Sequence, residues 1–278
     1  MAQSHTTAQR AGLLCALSPT FATIFGAVLL RERITPLGGV GILLILGSIL
    51  LPHFIKGNTI KERNTMKYKA VLFDMDGTLL DTLSDMHDAV NHILALHGWP
   101  QRSREEVRAF VGNGARKLME RAVPAEVAAS PAFEGVLEEY KAWYQSHNCV
   151  TTAPYPGIPA LLAALEQAGV AAAVVSNKPD ATTKTLAARF FPGMPAFGQR
   201  EGVAPKPDPA LVRLALEQLG VSAADAVYVG DSEVDVATAR NAGLPLVAVS
   251  WGFRGREALT AAGAETIADT AQELLENL

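Results

Sequence analysis

Four short apolar runs, each breaking into a polar loop, constrain this chain more than any other feature. Lys69-Ala-Val-Leu-Phe73 ends in Asp74-Met75-Asp76-Gly77-Thr78, and Gly169-Val-Ala-Ala-Ala-Val-Val175 ends in Ser176-Asn177-Lys178-Pro179. Ala226-Val-Tyr-Val229 runs into Gly230-Asp231-Ser232, and Pro245-Leu-Val-Ala-Val249 into Ser250-Trp251-Gly252. Runs of this length and make-up read as strands buried on both faces. Helical patterns lie between them. Ile158, Leu161, Leu162, Leu165 and Ala168 share one helix face and Gly169 stops it; Asp208 can cap a helix with Pro209 at its first position. Strand alternating with helix predicts an α/β fold, a Rossmann-like parallel sheet with right-handed crossovers. Its polar groups then gather at the carboxyl ends of the strands, where such sheets hold ligands.

One stretch interrupts this alternation. From residue 80 to 153 the pattern is helical throughout. Asp81 to His97 is one helix stopped by Gly98, and Ser103 with Glu106 has capping-box spacing for a second. Gly112-Asn113-Gly114 opens a third, and Pro131 to Tyr144 supplies another. This predicts a helical cap over residues 80–153, inserted after the first strand of a core formed by 66–79 and 154–278. His87, His92 and His97 are spaced five apart, which turns each about 140° from the last on a helix, so they read as structural rather than as a metal cluster.

The first 65 residues are of another kind. They hold six bases and two acids, a net of +4, which leaves 18 bases against 26 acids, a net of −8, for the other 213. Residues 11–30 and 34–55 carry no charge, and each run is long enough to cross a bilayer as a helix. With the polar hinge Arg31-Glu32-Arg33-Ile34-Thr35-Pro36 between them, residues 1–56 read as a transmembrane helical hairpin. Gly38, Gly39, Gly41 and Gly47 are the small residues of a packed membrane helix, and 57–65 is a polar linker. Lys56, Lys61, Arg63, Lys67 and Lys69 place the remainder of the chain in the cytoplasm, with an inner-membrane tether if residues 1–65 are expressed. The wording from Leu17 to Gly26 and from Leu30 to Pro36 resembles the closing two helices of EamA-type drug/metabolite transporters. A real fusion and a start at Met66 are both open; the second is preferred, because a transporter tail without its bundle has no evident task.

Composition excludes several functions. A net charge of −4 offers no surplus for neutralising phosphates, so nucleic acid is not the partner. Two cysteines, Cys15 and Cys149, make neither a disulfide framework nor a cysteine-rich zinc site.

Read alone, Asp74 and Asp76 are either a reactive pair or two acids in a turn. Ser176 with Asn177 fits a helix cap, and Lys206 between Pro205 and Pro207 fits an exposed loop. Taken together and in order, these residues and Gly230-Asp231-Ser232-Glu233-Val234-Asp235 resemble the four motifs of the haloacid dehalogenase-like hydrolase superfamily, near its phosphoglycolate phosphatases. The resemblance spans 66–278. It implies Asp74 as the nucleophile and Asp76 as the acid and base, with Ser176, Asn177 and Thr78 at the phosphoryl group. Lys206 would neutralise charge, and Asp231 would join Asp74 and the backbone carbonyl of Asp76 around Mg²⁺, with Asp235 beside that ion. Glu233 reads as solvated, and Lys178 stays outside the site. Phe110-Val111-Gly112-Asn113-Gly114-Ala115-Arg116 resembles the cap loop of phosphoglycolate phosphatases, so Gly112, Asn113 and Arg116 are candidates for the substrate, although Arg116 and Lys117 also suit an ordinary helix surface. The expected partner is a small phosphorylated metabolite, phosphoglycolate first. A phosphomutase or pyrophosphatase on the same scaffold, or a membrane-bound binding module, are the alternatives.

Overall fold

A computed structural model describes residues 66–278. The expected hairpin and linker lie outside the described residues, among which no helix is long and apolar enough to cross a membrane.

Strand β1 (Ala70–Phe73) leads to β2 (Leu80–Asp81) and then to five helices: α1 (Leu83–Leu96), α2 (Arg104–Phe110), α3 (Gly114–Ala122), α4 (Ala125–Ala128) and α5 (Phe133–His147). After β3 (Ala153–Pro154) the chain alternates: α6 (Ile158–Ala168), β4 (Ala171–Pro179), α7 (Asp180–Phe190), β5 (Ala196–Gln199), α8 (Ala210–Leu219), β6 (Ala226–Gly230), α9 (Glu233–Ala242), β7 (Leu246–Val249), α10 (Gly255–Ala261), β8 (Ile267–Ala268) and α11 (Ala271–Glu276). Six strands form one parallel sheet in the order β5-β4-β1-β6-β7-β8. The chain builds outward from β1 in one direction and then returns to its other side, so the crevice where the winding reverses opens at the end of β1.

The all-apolar strands follow from burial on both faces. Along β1, Val71 and Phe73 pack with Ile158, Leu161 and Leu165 of α6 and Leu274 of α11. Ala70 and Leu72 pack on the opposite face with Leu211, Val212 and Ala215 of α8. The helices between β2 and β3 keep a separate cluster, in which Met86, Val90 and Ile93 of α1 meet Leu118, Met119 and Leu137.

Several boundaries differ from the sequence expectation. Leu80 and Asp81 are not helical; they pair antiparallel with Pro154 and Ala153, a short ladder that joins both ends of the helical segment. Asp85 reinforces this junction, because its buried carboxylate accepts from the backbone amides of Val150, Thr151 and Thr152 at 2.9–3.2 Å. Hydrogen bonds of this kind, with those from the Thr151 and Thr152 hydroxyls, outweigh the cost of burial and hold its carboxyl below the usual carboxylate range. Pro209 occupies the cap position of α8 rather than its first turn, with the Asp208 carboxylate accepting from Ala210 N at 2.9 Å. Strand β4 runs past Val175 to Pro179, which proves decisive for the site. Strands β5 and β8 have no long apolar run because they are sheet edges of four and two residues.

Candidate active site

Asp74 leaves β1 with its amide donating to Val229 O at 2.9 Å, so its start is fixed by the sheet itself. The chain then turns sharply at Gly77, whose φ of +84° favours glycine and where a Cβ would collide with the Asp231 carboxylate. That absence of a side chain lets the loops after β1 and β6 meet. One oxygen each of Asp74, Asp231 and Asp235 lies within 4.8 Å of the others, and all three residues are buried.

Each carboxylate has a distinct environment. Asp231 accepts from Phe253 N at 2.6 Å and from Thr78 Oγ1 at 3.2 Å. Asp235 closes a capping box with Ser232 at the start of α9 and takes Lys206 Nζ on Oδ1 at 2.8 Å. Lys206 Nζ also lies 2.9 Å from Asp74 Oδ1 and 3.0 Å from Tyr228 Oη. The Met75 amide falls on the same Asp74 oxygen, which leaves Oδ2 free of donors among the described residues. Burial pushes the Asp74 carboxyl up to about 7; Lys206 opposes this, and Asp235 and Asp76 add to it. Burial, then Asp235 and Asp74, drive Asp231 well above the carboxylate range. Burial works against the Lys206 ammonium too, but Asp235 and Asp74 outweigh it and hold that group well above its usual value.

Three buried carboxyl groups therefore share one ammonium, and with all three ionised the cluster would carry two negative charges in excess, which protons or a cation must offset. Hard oxygen donors in that charge balance fit a divalent cation. Asp76 does not join the three. Its Oδ1 accepts from Thr82 Oγ1 at 2.7 Å, and Lys178 Nζ reaches both of its oxygens, at 2.8 and 3.0 Å.

The extension of β4 explains two departures from expectation. Pairing with β5 shifts register between Val175 and Pro179, and Ser176, Asn177 and Lys178 all line the site's cavity. Lys178 therefore belongs to the site, contrary to the sequence expectation; it is 5% exposed and holds Asp76. Asn177 does not aim its amide at a phosphoryl group but spends it on backbone: Nδ2 donates to Lys206 O at 3.0 Å and Gly112 O at 3.3 Å, and Oδ1 accepts from Lys206 N at 2.7 Å. It places the Lys206 loop. Thr78 is fully buried beneath Asp231 and does not line the cavity.

Over these groups lies a cavity of about 450 Å³, floored by Asp74, Asp76, Ser176 and Lys206 and walled on the cap side by Met86, Val111, Leu118, Tyr140 and Tyr144. Gly112 lines it, but Asn113 and Arg116 do not. Asn113 Oδ1 accepts from Arg121 Nη2 at 2.9 Å, and Arg116 pairs with Glu134 at 2.7 Å on an exposed helix face. Glu233 is half exposed and pairs with Arg254 at 3.0 Å. The three histidines share no site: His92 stacks on Trp143, His97 on Trp99, and His87 meets Asn91.

Sequence reasoning missed Tyr228, although a polar-tipped aromatic in a strand of small aliphatics needs a buried partner. It also missed a reciprocal latch between cap and core. Arg108 donates to Phe253 O at 2.8 Å and Gly252 O at 2.9 Å, while Arg254 donates to Arg108 O at 2.9 Å and Val111 O at 2.6 Å.

A cation-demanding carboxylate cluster with a bare carboxylate oxygen and a fixed lysine, at the crevice of a parallel sheet, is the equipment of a phosphoryl-transferring hydrolase. Residues 71–249 match the haloacid dehalogenase-like hydrolase family, and the chain belongs to it. Residues 1–52 match the EamA-like transporter family. The N-acetylmuramic acid 6-phosphate phosphatase of Pseudomonas aeruginosa is 37% identical over 222 residues, covering 77% of this chain and 96% of its own length. The phosphoglycolate phosphatase of Rhodospirillum rubrum is 37% identical over 210 residues, covering 72% and 87%. Among solved structures, a Lactobacillus delbrueckii protein described as a candidate phosphoglycolate phosphatase superposes with a TM-score of 0.72 at 37% identity, over 76% of this chain and 98% of that one. CbbY of Rhodobacter sphaeroides, in complex with xylulose 1,5-bisphosphate, gives 0.62 at 27% identity, over 74% and 96%. With relatives of these kinds, the chain is a phosphatase.

Proposed function

We propose that the protein is a Mg²⁺-dependent phosphatase that hydrolyses a small phosphorylated metabolite through an aspartyl-phosphate. The observation that carries this is the single donor-free oxygen, Asp74 Oδ2, in a buried cluster that is two positive charges short of neutrality when fully ionised. Mg²⁺ held by Asp74 and Asp231 would neutralise the phosphoryl oxygens and the carboxylates together. Asp235, with both oxygens engaged by Lys206 and Ser232, holds the lysine in place.

In this reading Asp74 Oδ2 attacks phosphorus and the ester P–O bond breaks. Asp76, in its acid form, gives its proton to the departing alkoxide. The resulting carboxylate then takes a proton from water; the hydroxyl attacks the aspartyl-phosphate, inorganic phosphate leaves, and Asp74 returns to carboxylate. Lys206 and Ser176 Oγ hold the phosphoryl oxygens. Asp76 must turn away from Lys178 and Thr82 to act.

Phosphoglycolate and N-acetylmuramic acid 6-phosphate are the two candidate substrates taken from the relatives. Both alcohols carry a carboxylate. A cavity of about 450 Å³ with an apolar cap wall exceeds what glycolate fills and favours the phosphosugar as the larger occupant. The basic residues Lys56, Lys61, Arg63, Lys67 and Lys69 support a cytoplasmic site of action.

Phosphate release from both esters, measured after EDTA treatment and again with Mg²⁺ restored, tests the reading. Activity should vanish and return, and Asp74→Asn should lower turnover by about a thousandfold or more. Unchanged hydrolysis in EDTA, or a tenth of the activity left in the variant, would overturn it.

A further inference from the structure

Lys178 is a buried cation that the proposed chemistry strips of its partner. Its ammonium is held by both oxygens of Asp76 and lies 4.7 Å from the centroid of the Tyr144 ring, and the residue lines the same cavity as Asp74. An ammonium donates three hydrogen bonds and accepts none, so burial without an anion is costly. The three clustered carboxylates cannot stand in for Asp76, because they already face Lys206 and the cation site. When Asp76 turns to the ester oxygen, Lys178 is therefore left with the Tyr144 ring unless the substrate brings an anion. Lys178 lines the same cavity as Ser176, Asp74 and Asp76, so an ester with its phosphoryl group at Asp74 can present its alcohol portion to that ammonium.

We propose that Lys178 selects the substrate: a carboxylate on the leaving alcohol replaces Asp76 on its ammonium, and the Asp76 carboxylate so released takes up a proton from solvent and gives it to the ester oxygen. The inference rests on the reading of Asp76 as the acid in the proposed phosphatase chemistry. The class of substrate is then a phosphate monoester whose alcohol carries a second anionic group. An ester without one must pull Asp76 from its lysine uncompensated.

Matched esters test this on the full-length protein with Mg²⁺. One pair is N-acetylmuramic acid 6-phosphate and N-acetylglucosamine 6-phosphate, which lacks the lactyl carboxylate; the other is phosphoglycolate and 2-hydroxyethyl phosphate. p-Nitrophenyl phosphate, whose leaving group needs no proton, reports on the reaction without its acid step. In at least one pair the wild type should favour the carboxylate ester in kcat/KM by about tenfold or more, the scale of a charge-assisted hydrogen bond. Lys178→Met should bring that ratio within about twofold of one, with p-nitrophenyl phosphate turnover as the reference for any loss common to all esters, and Lys178→Arg should keep the preference. A wild-type ratio near one in both pairs overturns the inference whether or not the Met variant folds. So does a Met variant that retains the wild-type ratio, or one that loses all esters equally, since Lys178 then only supports Asp76. Absence of turnover of every one of these esters in the wild type would instead refute the phosphatase reading, and the inference would fall with it.

Discussion

Removing the Asp74 charge should stabilise the metal-free protein while abolishing its chemistry. The carboxyl titrates near 3.8 in an unfolded chain and is pushed up to about 7 by burial. Between those values the native state holds a proton that the unfolded state has released, so stability falls as pH rises across the window. The shift is about three pH units, and at 1.36 kcal/mol per unit the loss is at most about 4 kcal/mol above pH 7. Asn has the shape of the neutral side chain and keeps an oxygen for Lys206, so Asp74→Asn escapes this cost. For a domain of this size the gain corresponds to roughly 10 °C in Tm. Thermal unfolding in EDTA at pH 8 should show the variant melting higher. At pH 5, where Asp74 is already protonated in the native state, the gap should shrink to under about 2 kcal/mol. Saturating Mg²⁺ at pH 8 should narrow or reverse it by stabilising the wild type. A variant no more stable than wild type at pH 8 in EDTA, or a gap equal at both pH values, would refute the charge balance derived for the cluster.

The latch loop and the cap surface give two further tests. A methyl at Gly252 would collide with the Asp231 carboxylate and the Gly77 carbonyl, so Gly252→Ala should weaken Mg²⁺ binding by about tenfold or more, read from the metal dependence of activity. Arg116→Ala removes only an exposed pair with Glu134 and should leave kcat/KM within about twofold and stability within about 0.5 kcal/mol; a large loss in kcat/KM would return Arg116 to the substrate site.

The residues that were legible follow apolar runs. Asp74, Ser176 and Asp231 each follow an apolar run, and a parallel sheet delivers strand ends to one edge, so their convergence followed from pattern and topology. Lys206 was legible only through family resemblance, since nothing in a Pro-rich loop states that Asn177 will anchor it from 29 positions away. Lys178 was illegible because its role depends on β4 continuing four residues past its apolar segment, which strand periodicity alone does not announce. Arg116 misled for the opposite reason. Its charge suited an anionic substrate, but Glu134 on the neighbouring helix reaches it first. Thr78 and Asn177 carry the expected polar groups, yet each spends them on a neighbouring protein group, Thr78 beneath the cavity and Asn177 at its lining.

The contacts of Arg108 have a thermodynamic consequence. This cap residue grips the carbonyls of Gly252 and Phe253, and the amide of that same Phe253 is what steadies Asp231. A cation held by Asp231 and the cap contacts of Arg108 would draw on one shared segment, and any coupling between them would be reciprocal, each changing the other's equilibrium by the same factor.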